Sequence, residues 1–133
     1  ILSGQAGDFS NGMAGSDVIF GGQGDDILRG GQGADYLSGD IGNDTLFGDV
    51  GADLLVGGAG NDRFMFYSGG GADQVSGFST GDTLGFASTL FGSVSSALAA
   101  ANASGGNTII NYSGGSVTLL GFTSLAVGDI VII

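Results

Sequence analysis

Aspartate is the residue whose type and spacing suggest chemistry in this chain of 133 residues. Six aspartates recur every nine residues in a similar glycine-rich setting, and they are Asp17, Asp26, Asp35, Asp44, Asp53 and Asp62. Carboxylate oxygens are the hard ligands that divalent cations such as calcium prefer. The chain has no histidine and no cysteine, which excludes the common catalytic triads and the usual zinc sites. We therefore expect a cation-binding chain that is not itself an enzyme.

The chain is strongly acidic. All 13 acidic residues are aspartates, and the two cationic residues are Arg29 and Arg63, which leaves a formal charge of −11. Nucleic acid and anionic surfaces are poor partners for this charge, and we expect no nucleic-acid binding. No apolar run approaches the roughly 20 residues that cross a bilayer, so we expect no transmembrane segment. The chain begins at Ile1 without a targeting leader, which we interpret as a fragment or a processed piece.

The aspartates belong to a repeat of nine residues. Six consecutive rows align from residue 12 to residue 65: GMAGSDVIF, GGQGDDILR, GGQGADYLS, GDIGNDTLF, GDVGADLLV and GGAGNDRFM. In every row, positions one and four are glycine, position six is aspartate and position eight is a large apolar residue. An earlier row, 3–11, fits loosely with Asp8 at position six. After a slip of two residues, the row 68–76 returns to register with Asp73.

This period predicts a β-solenoid. Six residues of glycine-rich turn and three of strand let the chain fold back every nine residues, because glycine adopts positive φ without a steric penalty. Side chains alternate along a strand, so position eight would point inward. Two rows then make one coil, and rows 18 residues apart stack at the spacing of neighbouring strands, about 4.8 Å.

Stacking brings aspartates of alternate rows together, and like charges this close disfavour the fold unless a cation separates them. Calcium binds about six to eight carboxylate and carbonyl oxygens, and two facing glycine-rich turns offer that set. The pairs Asp17/Asp35, Asp35/Asp53, Asp26/Asp44 and Asp44/Asp62 predict about four firm Ca²⁺ sites, and Asp8/Asp26 and Asp53/Asp73 would raise the number to about six. The turn glycines predicted to form these sites are Gly12, Gly15, Gly21, Gly22, Gly24, Gly30, Gly31, Gly33, Gly39, Gly42, Gly48, Gly51, Gly57, Gly58 and Gly60.

The pattern GGxGxDxUx, in which U is a large apolar residue, resembles the calcium-binding nonapeptide of the RTX (repeats-in-toxin) family. The resemblance implies an all-β fold. It would be a right-handed parallel β-roll of two sheets, followed by a C-terminal, mainly β capping segment with one short helix. We place the calcium-binding β-roll at residues 1–67 and the capping and secretion-signal segment at residues 68–133. The resemblance also implies a secreted protein, extracellular or at a bacterial cell surface, whose partner is a type I secretion exporter.

The C-terminal half differs in pattern from the repeats. Residues 93–106 predict a short helix that Ser93 caps and Gly105 ends. The stretches NTIINY and SVTLL, joined at residues 113–115, predict a hairpin. The final DIVII, residues 129–133, resembles the acidic and apolar tail of type I secretion substrates, and it also fits an ordinary last strand.

Calcium is expected to drive folding. One inward side chain per row does not offset the cost of ordering so many glycines, so metal binding must contribute folding free energy. The leading function is a non-catalytic module that stays loose at submicromolar calcium and folds outside the cell. One alternative is a calcium-dependent adhesive or surface-layer module that self-associates. Another is an accessory domain of a secreted hydrolase or alginate-modifying enzyme. A metal-free solenoid with turn-capping aspartates also stays open.

The outward positions supply two further expectations. On one sheet they are mostly apolar, and the residues are Val18, Phe20, Tyr36, Leu54 and Val56. We expect the C-terminal segment, an upstream or neighbouring domain, or another copy to cover them. Asp25, Asp40 and Asp49 lie outside position six. We expect Asp25 to face solvent, and Asp40 and Asp49 either to lie in the outer shell of a metal site or, as we favour, to be merely solvated.

Overall fold

A computed structural model describes residues 1–133. It confirms an all-β architecture with one short α-helix, α1 (Val94–Ala99), and a 3₁₀ turn at Val127–Asp129. The strands are β1 (Phe9–Asn11), β2 (Val18–Gln23), β3 (Ile27–Gln32), β4 (Tyr36–Ile41), β5 (Thr45–Val50), β6 (Leu54–Ala59), β7 (Arg63–Phe66), β8 (Gly71–Ser76), β9 (Thr83–Phe86), β10 (Ala101–Ser104), β11 (Asn107–Tyr112), β12 (Gly115–Leu120) and β13 (Ile130–Ile132). No helix here has the length and apolar character needed to span a bilayer.

Successive rows alternate between two sheets, so two rows make one coil, as predicted. The strand orders are β1-β3-β5-β7-β9-β13 and β10-β11-β12-β8-β6-β4-β2. The repeat strands pair in parallel, and only the C-terminal strands β10, β11 and β12 pair antiparallel with one another. Ile19 lies opposite Leu37, and Leu37 opposite Leu55, which confirms the stacking of rows 18 residues apart.

The strands are longer and the turns shorter than predicted. Each regular strand has six residues, which are positions seven to nine of one row and positions one to three of the next. Only positions four to six form the turn. The paired register skips position one, so that Gly21 lies between the paired residues Phe20 and Gly22. Pairing extends through the glycines because position one has no side chain to collide with the neighbouring carboxylate.

Position eight forms the core, as predicted. The residues with no exposed surface at this position are Ile19, Leu28, Leu37, Leu46, Leu55 and Phe64. They belong to one cluster of 16 buried residues that continues to Ile130 near the C-terminus. In the first row Ser10 takes this place opposite Leu28, and its hydroxyl lies 2.7 Å from that of Ser3. The apolar core therefore ends, at the N-terminal end, in a polar pair.

The C-terminal segment continues both sheets at the opposite end. Ser93 caps the start of helix α1, and its side chain accepts the Ser96 N–H, as predicted. The helix ends at Ala99, with Ala100 as its C-cap, rather than at Gly105, because residues 101–104 pair with β11 as strand β10. Gly105 and Gly106 form the turn between these strands. The predicted hairpin of β11 and β12 is confirmed, and β12 and β13 pair in parallel with β8 and β9.

The outer face of β2, β4 and β6 is not covered by the C-terminal segment, contrary to one expectation. The strands of that segment pair with the end strands of the two sheets, so they extend each sheet within its own plane and do not lie over its outer face. Val18 is 52% exposed, and the other apolar residues of this face are only partly buried. Coverage by another domain or a second copy stays a prediction. The functional division at residue 67 also stays a prediction.

Candidate metal centre

The six regular aspartates form two ladders, one along each edge of the solenoid. One ladder contains Asp17, Asp35 and Asp53, and the other contains Asp26, Asp44 and Asp62. Within each ladder, Oδ1 accepts a hydrogen bond from the backbone N–H of the aspartate one coil earlier, at 2.7–2.9 Å. The structure therefore brings these residues together in the four pairs that the repeat predicts.

The second oxygen of each regular aspartate is buried without a partner. These atoms are Oδ2 of Asp17, Asp26, Asp35, Asp44, Asp53 and Asp62. A buried, ionised oxygen with no donor and no counter-ion is strongly unfavourable. Six such atoms in one regular array are the acceptors that bound cations would satisfy.

Glycine at position one keeps open the space in front of Oδ2. A methyl group at Gly12 would lie 2.5 Å from Asp17 Oδ2 and 2.6 Å from the Gly30 carbonyl oxygen. Gly21 has the equivalent neighbours in the next row, at the same two distances. A carboxylate and a carbonyl oxygen thus face one space, and these are the two ligand types that calcium prefers. The residues present fit calcium.

Carbonyls must supply much of each site, because no cluster of three metal-binding side chains forms anywhere in the chain. The turns are built to present them. At position four φ lies between +114° and +156°, a region open to glycine but not to other residues. A side chain at Gly33 would collide with the carbonyl of Gly15, one coil earlier. Position four therefore requires glycine both for its conformation and for the close stacking of turns.

Two aspartates at position two have structural partners, which corrects the expectation that they are merely solvated. Asp40 and Asp49 adopt left-handed φ values of +74° and +70°, which aspartate tolerates better than most residues. The Asp49 carboxylate accepts two hydrogen bonds from the Arg29 guanidinium, at 2.5 and 2.9 Å. Asp40 accepts one from Ser38 Oγ at 2.5 Å. Asp25 is exposed, as predicted.

The ladders continue into the flanking rows, and at both ends of the ladder that contains Asp26, Asp44 and Asp62 the added aspartates are satisfied by the chain itself. Asp8 Oδ2 accepts the Gly4 N–H at 2.9 Å. Asp82 was not among the predicted ligands, yet its Oδ1 extends one ladder, and its Oδ2 accepts the Ser79 N–H at 2.9 Å. The sequence could have indicated Asp82 as a member of the ladder, since it follows Asp73 by nine residues, which is the repeat length. These ends differ from the six central rows, whose Oδ2 atoms have no donor.

Burial opposes ionisation of these carboxylates. Desolvation raises the pKa of Asp44 and Asp53 to about 6 and the pKa of Asp73 to about 7, and it also raises the pKa of Asp62. Backbone hydrogen bonds lower each pKa in part, and neighbouring carboxylates raise it further. The chain's one salt bridge joins Arg29 to Asp49 rather than to a ladder. Its own cations therefore leave the ladders uncompensated.

Comparison with known families agrees with this geometry. The family described as RTX calcium-binding nonapeptide repeat (4 copies) matches residues 2–37, 30–64 and 38–75, which together span more than half of the chain. The chain belongs to this RTX family. Its repeats are therefore calcium-binding repeats, and the buried aspartate rows are consistent with that role. No curated protein matches the RTX chain closely enough to count as a relative.

Solved structures share the fold of the RTX chain. The extracellular lipase LipA from Serratia marcescens is 17% identical, with a TM-score of 0.57 over 99% of this chain and 38% of the lipase chain. The AlgE6R3 subunit of the Azotobacter vinelandii mannuronan C5-epimerase is 26% identical, with a TM-score of 0.55 over 94% of this chain and 78% of that one. The RTX chain thus spans little more than a third of the lipase. Both likenesses confirm the predicted β-roll.

Proposed function

We propose that this RTX chain is a calcium-triggered folding module of a secreted bacterial protein. The observation that carries the proposal is the array of six buried Oδ2 atoms without a donor, in a chain of formal charge −11. In the absence of a cation, their desolvation and mutual repulsion oppose folding. With calcium between successive turns the same atoms become ligands, so that binding free energy becomes folding free energy.

Four sites follow from the ladders, one in each gap between successive turns of the six central rows. The pairs are Asp17/Asp35, Asp35/Asp53, Asp26/Asp44 and Asp44/Asp62, and the glycine-rich turns supply the carbonyl ligands. About four ions add about eight positive charges, which takes the formal charge from −11 to about −3. The Asp8/Asp26 gap binds more weakly in this scheme, because one oxygen of Asp8 already accepts a hydrogen bond.

Circular dichroism during a calcium titration tests this function. In EGTA we expect the spectrum of a largely unfolded chain, and we expect β-structure to appear as calcium rises to millimolar levels. Magnesium at the same concentration is the control, since its tight octahedral geometry and slow dehydration suit these carbonyl turns poorly. A chain that is equally ordered in EGTA and in calcium would contradict the proposal.

The module would act after export. RTX proteins are generally secreted, and the similar lipase is described as extracellular. Low cytosolic calcium would keep the chain unfolded during passage through a type I exporter, and higher calcium outside would fold it. Residues 129–133 would carry the export signal, and three of them form β13, paired with β9 in the folded state. Deletion of these five residues should abolish export, and unchanged export would make them an ordinary last strand.

We further propose that the module is non-catalytic and accompanies a larger protein. The chain has no histidine or cysteine, and its buried aspartates are engaged in the ladders. Its likeness to part of a lipase and to a subunit of an epimerase supports a role beside an enzyme. The parent protein's activity would then reside outside these residues, and the isolated chain should hydrolyse neither esters nor polysaccharides.

A structural or adhesive module is the second candidate, and the outer face of β2, β4 and β6 favours it. This face is mostly apolar, and Val18 is 52% exposed on it, while Asp40 of β4 is hydrogen-bonded to Ser38. Self-association would bury these residues. Light scattering coupled to size exclusion, with and without calcium, should then detect a calcium-dependent oligomer that Val18→Ser weakens. A monomer under both conditions would remove this candidate.

A further inference from the structure

The repeat register breaks once, between β7 and β8. Asp53 and Asp73 are 20 residues apart, whereas the aspartates of the regular ladders are 18 apart. Phe66 follows Met65 in β7 and so takes position one, which is glycine in all six regular rows. The two additional residues lie in the segment 67–70, which joins these strands outside the regular turn pattern.

A cleft of about 380 Å³ opens beside this segment. Part of its lining is aromatic, since the rings of Phe47 and Tyr67 stack with their centroids 6.2 Å apart. The guanidinium of Arg29 lies 4.9 Å from the centre of the Phe47 ring and also pairs with the Asp49 carboxylate. The one cation at the cleft is therefore already engaged.

Oxygen atoms without partners line the same cleft. Tyr112 Oη is buried and makes no hydrogen bond. Asp73 is 3% exposed, and its one hydrogen bond runs from the Asp53 N–H to its Oδ1 at 3.0 Å. In the first regular row, the carbonyl of Met13 at position two accepts a hydrogen bond from the Gln32 N–H of the next coil. Asp49 is at the same position of its row, but no N–H of residues 67–70 donates to its carbonyl. Tyr112 Oη and the second oxygen of Asp73 therefore have no donor from the chain, and the Asp49 carbonyl has none from residues 67–70.

Neutral oxygens from three different segments converge beside Gly70. A methyl group at Gly70 would lie 3.2 Å from the Asp49 carbonyl oxygen, 3.2 Å from Tyr112 Oη and 3.4 Å from the Tyr67 carbonyl oxygen. The φ of Gly70 is not in the left-handed region, so no backbone strain requires glycine there. Absence of a side chain at this residue therefore keeps the oxygens accessible to a ligand.

We propose that this cleft holds calcium in a site of a second kind, in which Asp73 supplies the charge. The neutral ligands are the carbonyls of Asp49 and Tyr67 and the hydroxyl of Tyr112. The inference rests on the proposed calcium-dependent function. Two of its three neutral ligands, from Tyr67 and Tyr112, lie outside the regular rows, and the third is the position-two carbonyl of Asp49. Calcium fits because it accepts neutral oxygens from irregular segments and completes its shell with water. Tyr112 belongs to β11, so this ion ties the C-terminal hairpin to the repeats.

The test counts the calcium ions bound by the intact chain, by equilibrium dialysis and by isothermal titration calorimetry. Gly70→Ala places a methyl group among the three oxygens and changes neither a charge nor a ligand, so it should bind one ion fewer than the wild type. Gly92→Ala is the matched control, because a methyl group there meets nothing within 4 Å. Circular dichroism in saturating calcium checks that both variants fold.

Tyr112→Phe supplies a second test, since it removes one hydroxyl and keeps the ring. It should weaken one site by about ten-fold. Terbium luminescence gives an independent signal in the Tyr36→Phe background, where Tyr67 and Tyr112, which both line the cleft, are the only tyrosines left to sensitise the ion. Asp73→Asn should remove most of that signal.

Each outcome decides the proposal. Wild-type stoichiometry in Gly70→Ala together with wild-type affinity in Tyr112→Phe would overturn the cleft site while leaving the repeat sites intact. A wild-type chain that binds no calcium would instead overturn the proposed function itself. Loss of one ion in Gly70→Ala, with the Gly92→Ala count unchanged, supports the site.

Discussion

Five of the six regular aspartates assign their two carboxylate oxygens to different roles, and the exception is Asp17, whose Oδ1 accepts no hydrogen bond. Oδ1 accepts an N–H from the preceding coil and so fixes the side chain, as Asp35 does for Asp17 at 2.7 Å. Oδ2 is then held without a donor at the space that glycine keeps free. This division explains why the short aspartate arm recurs at position six. The chain contains no glutamate, whose longer arm would hold its oxygens farther from the turn.

The first prediction concerns the central residue of one ladder. Asp35→Asn removes a charge but keeps an oxygen that can accept the Asp17 N–H. Because Asp35 serves two of the proposed sites, we expect calcium affinity at these sites to fall by about 10–100-fold. Calorimetry measures the affinity. Asp25→Asn is the control, since it makes the same charge change at an exposed turn residue whose hydrogen bond an asparagine preserves. Equal losses in both variants would assign the effect to net charge alone.

At the scale of the strand and turn, most of the repeat block could be predicted from its sequence, because the period fixes which residues stack. The inward direction of Leu37 and the pairing of Asp17 with Asp35 both follow from a spacing of 18 residues. The sequence did not predict the strand length, since nothing in the glycine pattern showed that positions one to three would pair. It also did not predict the end of α1, because pairing with β11 overrides the helix preference of the alanines.

The sequence also could not predict which side chains on different coils contact each other. Arg29 and Asp49 are 20 residues apart, and their ion pair depends on how a long side chain lies across a sheet. The cleft between β7 and β8 depends on the path of the two inserted residues, which have no counterpart in the regular rows. Local departures from the repeat therefore needed the structure, while the repeat itself did not.

The second prediction concerns the core of one strand. Leu37 is completely buried, so Leu37→Ala leaves a cavity, and we expect it to lower the free energy of unfolding by about 2–5 kcal/mol in saturating calcium. Val56→Ala, on the partly buried outer face of β6, should cost under about 1.5 kcal/mol. Urea denaturation measures both. Similar losses in the two variants would show that the interior contributes no more than the outer face.

At the scale of the whole molecule, protons and calcium compete for the same buried oxygens. The pKa values of Asp44, Asp53 and Asp73 in the folded chain are about 6, 6 and 7, above the ordinary value of 3.8, because burial disfavours the ionised form. The folded chain therefore binds protons more tightly than the unfolded chain does. Without metal, this penalty on folding is present in full above about pH 7 and is relieved as the pH falls toward about 4.

The third prediction follows from that sign. In buffer freed of metal by a chelating resin, lowering the pH from about 7.5 to about 5 should increase the ordered fraction, because protons neutralise carboxylates that calcium would otherwise neutralise. When calcium is present, the same fall in pH should reduce the affinity of the chain for calcium, since binding requires the ionised carboxylates. Circular dichroism follows the order, and light scattering separates it from aggregation as the net charge falls. Order that decreases with acidification in the metal-free buffer would show that the buried carboxylates are not what opposes folding.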